Sequence, residues 1–416
     1  MSVLSCSLRV FEIVFSEDIA VVILSPVEWD FTWQSAQNVA RGLAEHGYQV
    51  LFVNPLPKRA PAAGEWKRVL ARILRRPQLA GYPQQPRPAG VSVVNPFTLP
   101  DSNHWLARVN EAALIPGLAH RLERIVEPRA HTVVLSYLPF PTPLELTARL
   151  GAALVIYACQ TYHSADPLVR PEMLREKEMF RRANLVLADS RFLYEHACHH
   201  HQHVLHWPAL VDFELFHRAA QARHDHITGS TVRCCYFGEI GFRIDTELLA
   251  AVSHRHPLRL IGPVRETLPG MGQGTEVLGP RPHSDLPRLL VDVDVLLLPY
   301  RVSEFTQGIL PAKIYECFAT GKPIVSTHLP SLLEHVDLVH ISRTRDQFLA
   351  CIEQAGHEAP GLRARRMRTA RQYTTERWIG LLSDLILSWV GGQHDLLWPQ
   401  PPWVGKPPRA GQPGIQ

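Results

Sequence analysis

No uninterrupted apolar run in this 416-residue chain approaches the ~18–20 residues that a membrane-spanning helix requires. The first eighteen residues carry Arg9, Glu12, Glu17 and Asp18, so they lack the apolar stretch of a secretory leader. Cysteine is scarce: seven residues, an odd number and scattered, exclude a disulfide framework and point to a reducing cytoplasm. The net charge of +4 is too small to argue for nucleic acid, and no nucleic-acid partner is expected. Several motifs are missing as well. The loop Ser25-Pro26-Val27-Glu28-Trp29-Asp30 after the first apolar run contains no glycine, which argues against a dinucleotide fold of the GxGxxG kind. GxxxxGK[ST], GxSxG and HExxH are absent, and with them the signatures of P-loop phosphoryl transfer, serine hydrolysis and zinc proteolysis.

What is present is a globular composition, 46% hydrophobic and 20% charged, in a length that suits two domains. Proline, 35 residues, exceeds the usual ~5%, and its clusters mark boundaries. The β-branched run at 19–24 predicts a strand buried on both faces. Helical spacing over 33–46, ending at Gly47, and a strand at 49–53 complete a βαβ opening. Apolar runs at 91–94, 132–135, 154–157 and 185–188 extend this into one doubly wound α/β domain. After Trp207-Pro208 a second series begins. It has strands at 233–237, 258–261, 293–298 and 324–326, and helices at 246–253, near 284–291 and at 311–320. The helix predicted over 374–390 is apolar on more than one side, so it docks on protein. The segment 393–416, rich in proline, is expected to be poorly ordered. Parallel sheets bind ligands beyond the carboxyl ends of their strands, so a cleft between two such domains is where function is expected.

The most informative segment is 293–327. A buried strand ends at Pro299, and Pro311 is expected at the first position of a helix that Gly321 ends and Pro323 cannot continue. Free N–H groups near 309–313, with Lys313 beside them, suit a diphosphate. Glu316 lies just over one turn further on, and one carboxylate can accept hydrogen bonds from both hydroxyls of a ribose. The plainer alternative makes Glu316 and Lys313 solvated surface residues.

This segment resembles the donor-site signature of retaining GT-B glycosyltransferases of family 4, in the half running Glu316-Cys-Phe-Ala-Thr-Gly321-Lys-Pro323-Ile-Val. The resemblance extends along the chain. Trp29-Asp30…Trp33…Gln37-Asn-Val-Ala-Arg-Gly-Leu-Ala…Gly47-Tyr-Gln-Val-Leu-Phe-Val-Asn-Pro is similar to the opening of a teichuronic-acid-type subgroup. Ala188-Asp189-Ser190, Pro208-Ala-Leu-Val-Asp212 and Tyr236-Phe-Gly238 follow in order. It implies two Rossmann-like domains facing a central cleft: an acceptor-side domain over 1–210 and a nucleotide-sugar domain over 211–373. A helix over 374–392 would cross back to the first domain. It further implies transfer of a sugar from a nucleoside diphosphate sugar to a saccharide or lipid-linked acceptor in polysaccharide biosynthesis, with retention and without a metal or other cofactor. The donor-binding set is then Glu316, Lys313, Gly308, Leu310, Gly238, Arg243 and Arg301. Three departures stand out. Gly308 occupies a position where the family often has a second glutamate, Arg243 is the nearest match to the usual basic pair, and Ala158-Cys-Gln-Thr161-Tyr162-His163 replaces acidic residues. His163 is the weak catalytic candidate. A sugar-nucleotide epimerase and a non-catalytic binding protein remain the alternatives.

Three other features invite a functional reading. Asp292-Val-Asp294 has the form of a metal-binding DxD, yet it is expected to open a buried strand. The run Cys198-His199-His200-His201-Gln-His203…His206 has residue types that suit zinc but reads as an exposed, His-rich loop, for want of a second ligand cluster. Residues 66–76 form a basic amphipathic pattern, with Trp66, Val69, Leu70, Ile73 and Leu74 on one face, flanked by five basic residues. The pattern suits either an anionic membrane surface or an ordinary solvated helix. The first of these would seat a cytoplasmic protein peripherally on the inner membrane face.

Overall fold

The computed structural model describes residues 14–57, 84–101, 104–126, 129–221, 232–394 and 398–404. The basic segment 66–76 lies outside them. The chain builds two all-parallel sheets. The first contains β1 (Ile19–Leu24), β2 (Gln49–Val53), β3 (Val91–Val94), β4 (His131–Ser136), β5 (Leu154–Cys159), β6 (Leu185–Ala188) and β7 (Val204–His206), in the order β3-β2-β1-β4-β5-β6-β7. The second contains β8 (Cys234–Phe237), β9 (Leu258–Ile261), β10 (Thr275–Gly279), β11 (Val295–Leu298), β12 (Ile324–Thr327) and β13 (His340–Ser342), in the order β10-β9-β8-β11-β12-β13. The order reverses between β1 and β4 in one sheet and between β8 and β11 in the other. Those two switch points face the cleft, where such sheets open a crevice for ligands.

The unbroken apolar run of β1 follows from burial on both faces. Ile19, Val21 and Ile23 enter the large core, whereas Ala20, Val22 and Leu24 enter a second core on the opposite side of the sheet. Behind the cleft, the helix Thr375–Val390 crosses from the second domain to the first and packs on the helix Ser35–Glu45. Its buried face includes Trp378, Ile379, Leu382, Leu385 and Ile386. A Cβ on Gly42 would stand 2.6 Å from Ile379 Cγ1, so glycine there sets how closely the two helices approach. Tyr48 reaches the same helix through its hydroxyl, which donates to the Ser383 carbonyl at 3.1 Å and lies 2.9 Å from the Ser383 hydroxyl.

Three sequence expectations need correction. The helix expected from Pro311 is Ile314–Thr320. The Pro311 carbonyl accepts the Ile314 amide at 2.9 Å, and this tight turn delays α-helical bonding until the Lys313 carbonyl accepts Cys317 N. Asp292 and Asp294 precede β11 rather than open it. Asp294 accepts the Arg233 amide at 2.8 Å, and Asp292 pairs with Arg259 at 2.6 Å and with Arg233. Burial alone would raise the Asp292 pKa, but the two arginines hold it below the usual carboxylate value. The segment 398–404, finally, is packed. Trp398 stacks on Trp207 and donates to the His206 carbonyl at 2.9 Å, and Trp403 lies edge-on to His206 at 4.7 Å. Two indoles supply the apolar area that the proline count obscured.

Candidate functional site

The cleft encloses about 1520 Å³ and is walled by both domains. Its second-domain side is built from strand ends. After β8 the chain turns at Gly238 with φ +130°, where a Cβ would stand 2.2 Å from Lys313 Nζ. Glycine at 238 is therefore the condition for Lys313 to occupy that space. The ammonium donates to the Tyr236 hydroxyl at 3.2 Å and sits 4.4 Å from the centre of that ring. Burial disfavours its charge and lowers its pKa to about 8. A cation held there with little solvation gains most from an incoming anion.

Glu316, on the helix that begins at Ile314, is buried at the cleft wall and is not a solvated helix glutamate. Its Oε1 accepts a hydrogen bond from His283 Nε2 at 2.8 Å. A carboxylate can only accept, so the partner nitrogen of His283 carries the proton. Leu310 lines the cleft beside these groups. The amides of Leu310, Ala312 and Lys313 meet no backbone carbonyl among the described residues, whereas Ile309 N is taken by the Thr306 carbonyl at 3.2 Å. Arg243 is exposed in the cleft, with its guanidinium 5.1 Å from the centre of the Phe305 ring. Arg265 and Arg281 line the same wall.

Two expected donor residues stand elsewhere. Arg301 is not among the cleft-lining residues; its guanidinium donates to the Ile244 carbonyl at 2.9 Å and pairs with Glu266 at 3.3 Å. Gly308 does not line the cleft either. A Cβ there would meet Tyr162 Cβ at 3.0 Å, and its carbonyl accepts the Ser190 hydroxyl at 3.1 Å. Position 308 is therefore where the domains touch, and a side chain there would require Tyr162 to give way by a few tenths of an ångström. His163 lines the cleft from the first domain, buried, edge-on to Phe140 at 5.5 Å.

Sequence reasoning assigned no role to three groups that the fold brings to the cleft. Trp33 stacks on His283 at 5.8 Å, joining the two domains across the cleft. His283 itself shows no motif, because its partner lies 33 residues away. Asp189, next to Ser190 at the end of β6, is buried with Oδ1 lacking a hydrogen-bond partner, and burial raises its pKa well above the usual carboxylate value.

No family model matches the sequence. One curated protein of Bacillus subtilis (strain 168), provisionally named a teichuronic acid biosynthesis glycosyltransferase, is 38% identical over 53 residues. That match spans 13% of this chain and 13% of the relative's length. Among solved structures, Anabaena HepE in complex with UDP-glucose superposes with a TM-score of 0.59 at 11% identity, covering 89% of this chain and 99% of that one. A glycosyltransferase from Rickettsia africae ESF-5 gives 0.57 at 11% identity, covering 89% and 98%. WaaG, a glycosyltransferase of lipopolysaccharide biosynthesis, gives 0.53 at 13% identity, covering 90% and 100%. These likenesses establish the GT-B fold.

Proposed function

We propose that the protein is a glycosyltransferase that takes a sugar from a nucleoside diphosphate sugar and passes it to a saccharide or lipid-linked acceptor in cell-surface polysaccharide biosynthesis. The observation that carries this reading is the pairing of Lys313 with a buried, His283-held Glu316 on one wall of the interdomain cleft. The cation and the neighbouring amides suit a diphosphate, and the carboxylate suits the ribose. The complexes of HepE with UDP and UDP-glucose, and the name of the B. subtilis relative, support the same substrate class. Departure of the sugar leaves charge on the diphosphate, which Lys313 and Arg243 would stabilise without a metal. Glu316 would orient the leaving group. Retention at the anomeric carbon follows the family resemblance.

The test is calorimetric binding of nucleoside diphosphates. Glu316→Ala is expected to weaken binding by about 1.5–3 kcal/mol, as loss of a charged acceptor does. Unchanged affinity would remove Glu316 from the site. A second reading, nucleotide-sugar binding without transfer, follows from Gly308, which stands at the contact between the domains and offers no carboxylate to the cleft. Release of nucleoside diphosphate in the presence of an acceptor separates the two.

A further inference from the structure

Among the described residues, only His283 is hydrogen-bonded to the Glu316 carboxylate, and its ring is held from two sides. Phe216, on the helix Phe213–Gln221 of the second domain, lies 5.2 Å away at 60°. Trp33, of the first domain, stacks at 5.8 Å and 21°. Trp33 is itself fixed. Its Nε1 donates to Asn38 Oδ1 at 2.7 Å, and the Arg41 guanidinium lies 5.5 Å from its ring centre. Arg41 also approaches Asp212 at 3.7 Å, where the chain passes from one domain to the other. A contact path thus runs from the helix Ser35–Glu45 through Trp33 and His283 to Glu316. All of Trp33, Asn38, His283 and Glu316 face the cleft.

We infer that His283 is a positioning residue for Glu316 and that Trp33 locks it, so that the first domain completes the ribose-recognition site of the second. The inference rests on the reading of Glu316 as the ribose-holding carboxylate. A carboxylate on a free glutamate side chain samples several rotamers. One fixed by a 2.8 Å bond to a stacked imidazole presents its remaining acceptor positions in one direction. Two hydroxyls on adjacent ribose carbons need such a fixed direction, and a 2′-deoxyribose needs it less. If the domains part, Trp33 leaves the imidazole and the carboxylate loses its fixed aim. Recognition of ribose and closure of the cleft are then one event.

The test uses the full chain and calorimetric titration with ribonucleoside diphosphates, followed by the 2′-deoxy counterpart of whichever binds. His283→Ala is expected to weaken ribonucleotide binding about tenfold, in the range for a lost charged hydrogen bond. The preference for ribo over deoxy should fall to that of Glu316→Ala. His283→Gln, which can still donate, should retain part of both. Trp33→Leu should reduce the same preference, with no further loss when combined with Glu316→Ala, because the two act on one contact path. An undiminished preference in His283→Ala and Trp33→Leu overturns the inference while leaving the substrate class intact. Equal weakening of ribo and deoxy ligands by Trp33→Leu also overturns it, since the indole would then touch the nucleotide directly. Absence of any nucleoside diphosphate binding by the wild-type chain defeats the underlying reading instead.

Discussion

Lys313 is a charged group in a place that disfavours charge, and pH should reveal it. Burial lowers its pKa to about 8, against ~10.4 for a solvated lysine. Between these values the folded chain holds fewer protons here than the unfolded chain, so this group's contribution makes stability rise as pH rises from 8 to 10.5. Ligand binding runs the other way. A diphosphate needs the ammonium charged, so affinity is expected to fall from pH 7 to pH 9 with uptake of a proton. Titrations in buffers of different ionisation enthalpy would measure that proton. Lys313→Met should bind weakly, with a flatter pH dependence over the same range. Lys313 and Glu316 were visible in sequence because a proline-bounded βαβ segment announced them. The pairing of Trp33 with His283, and of His283 with Glu316, was not, because it joins residues far apart in the chain.

The crossing helix Thr375–Val390 is seated by a missing side chain. Gly42 leaves room for Ile379, and a larger group at 42 would enter space already filled. Gly42→Leu is therefore expected to lower stability by about 1–3 kcal/mol, read as a lower midpoint in urea. An unchanged midpoint would show that the helices part without loss. This helix was readable in sequence because it is apolar on more than one face. Strands such as β1 and β11 were equally plain, as unbroken apolar runs. Shorter elements were missed: β7 and β13 have three residues each, too few for any period to show. The helix Ile314–Thr320 was placed three residues early, since the proline rule does not register a turn closed by the proline's own carbonyl.

At the scale of the molecule, the charges outside the cleft bear on how it works. Asp292 is spent on Arg259 and Arg233 at the β11 entry, so the reading without a metal predicts that transfer survives EDTA and that Asp292→Asn leaves turnover near wild type. Loss of activity on chelation, with rescue by Mn²⁺ or Mg²⁺, would contradict it. Among the described residues no helix is long and apolar enough to cross a membrane. The sequence 66–76 nevertheless gathers five basic residues, each contributing ~1 kcal/mol near an anionic surface. We therefore propose salt-sensitive sedimentation with anionic vesicles, abolished by changing Arg72, Arg75 and Arg76 to Glu with nucleotide binding intact. Wild-type protein that stays in the supernatant at low salt would exclude it. The bond between Tyr48 and Ser383 has a consequence in time. Its partners are 335 residues apart, and a ribosome adding ~5–20 residues per second takes roughly 20–70 seconds to pass from one to the other. Until the helix that carries Ile379 and Ser383 has been made, the helix surface at Gly42 and the Tyr48 hydroxyl lack the partners that seat them in the folded chain.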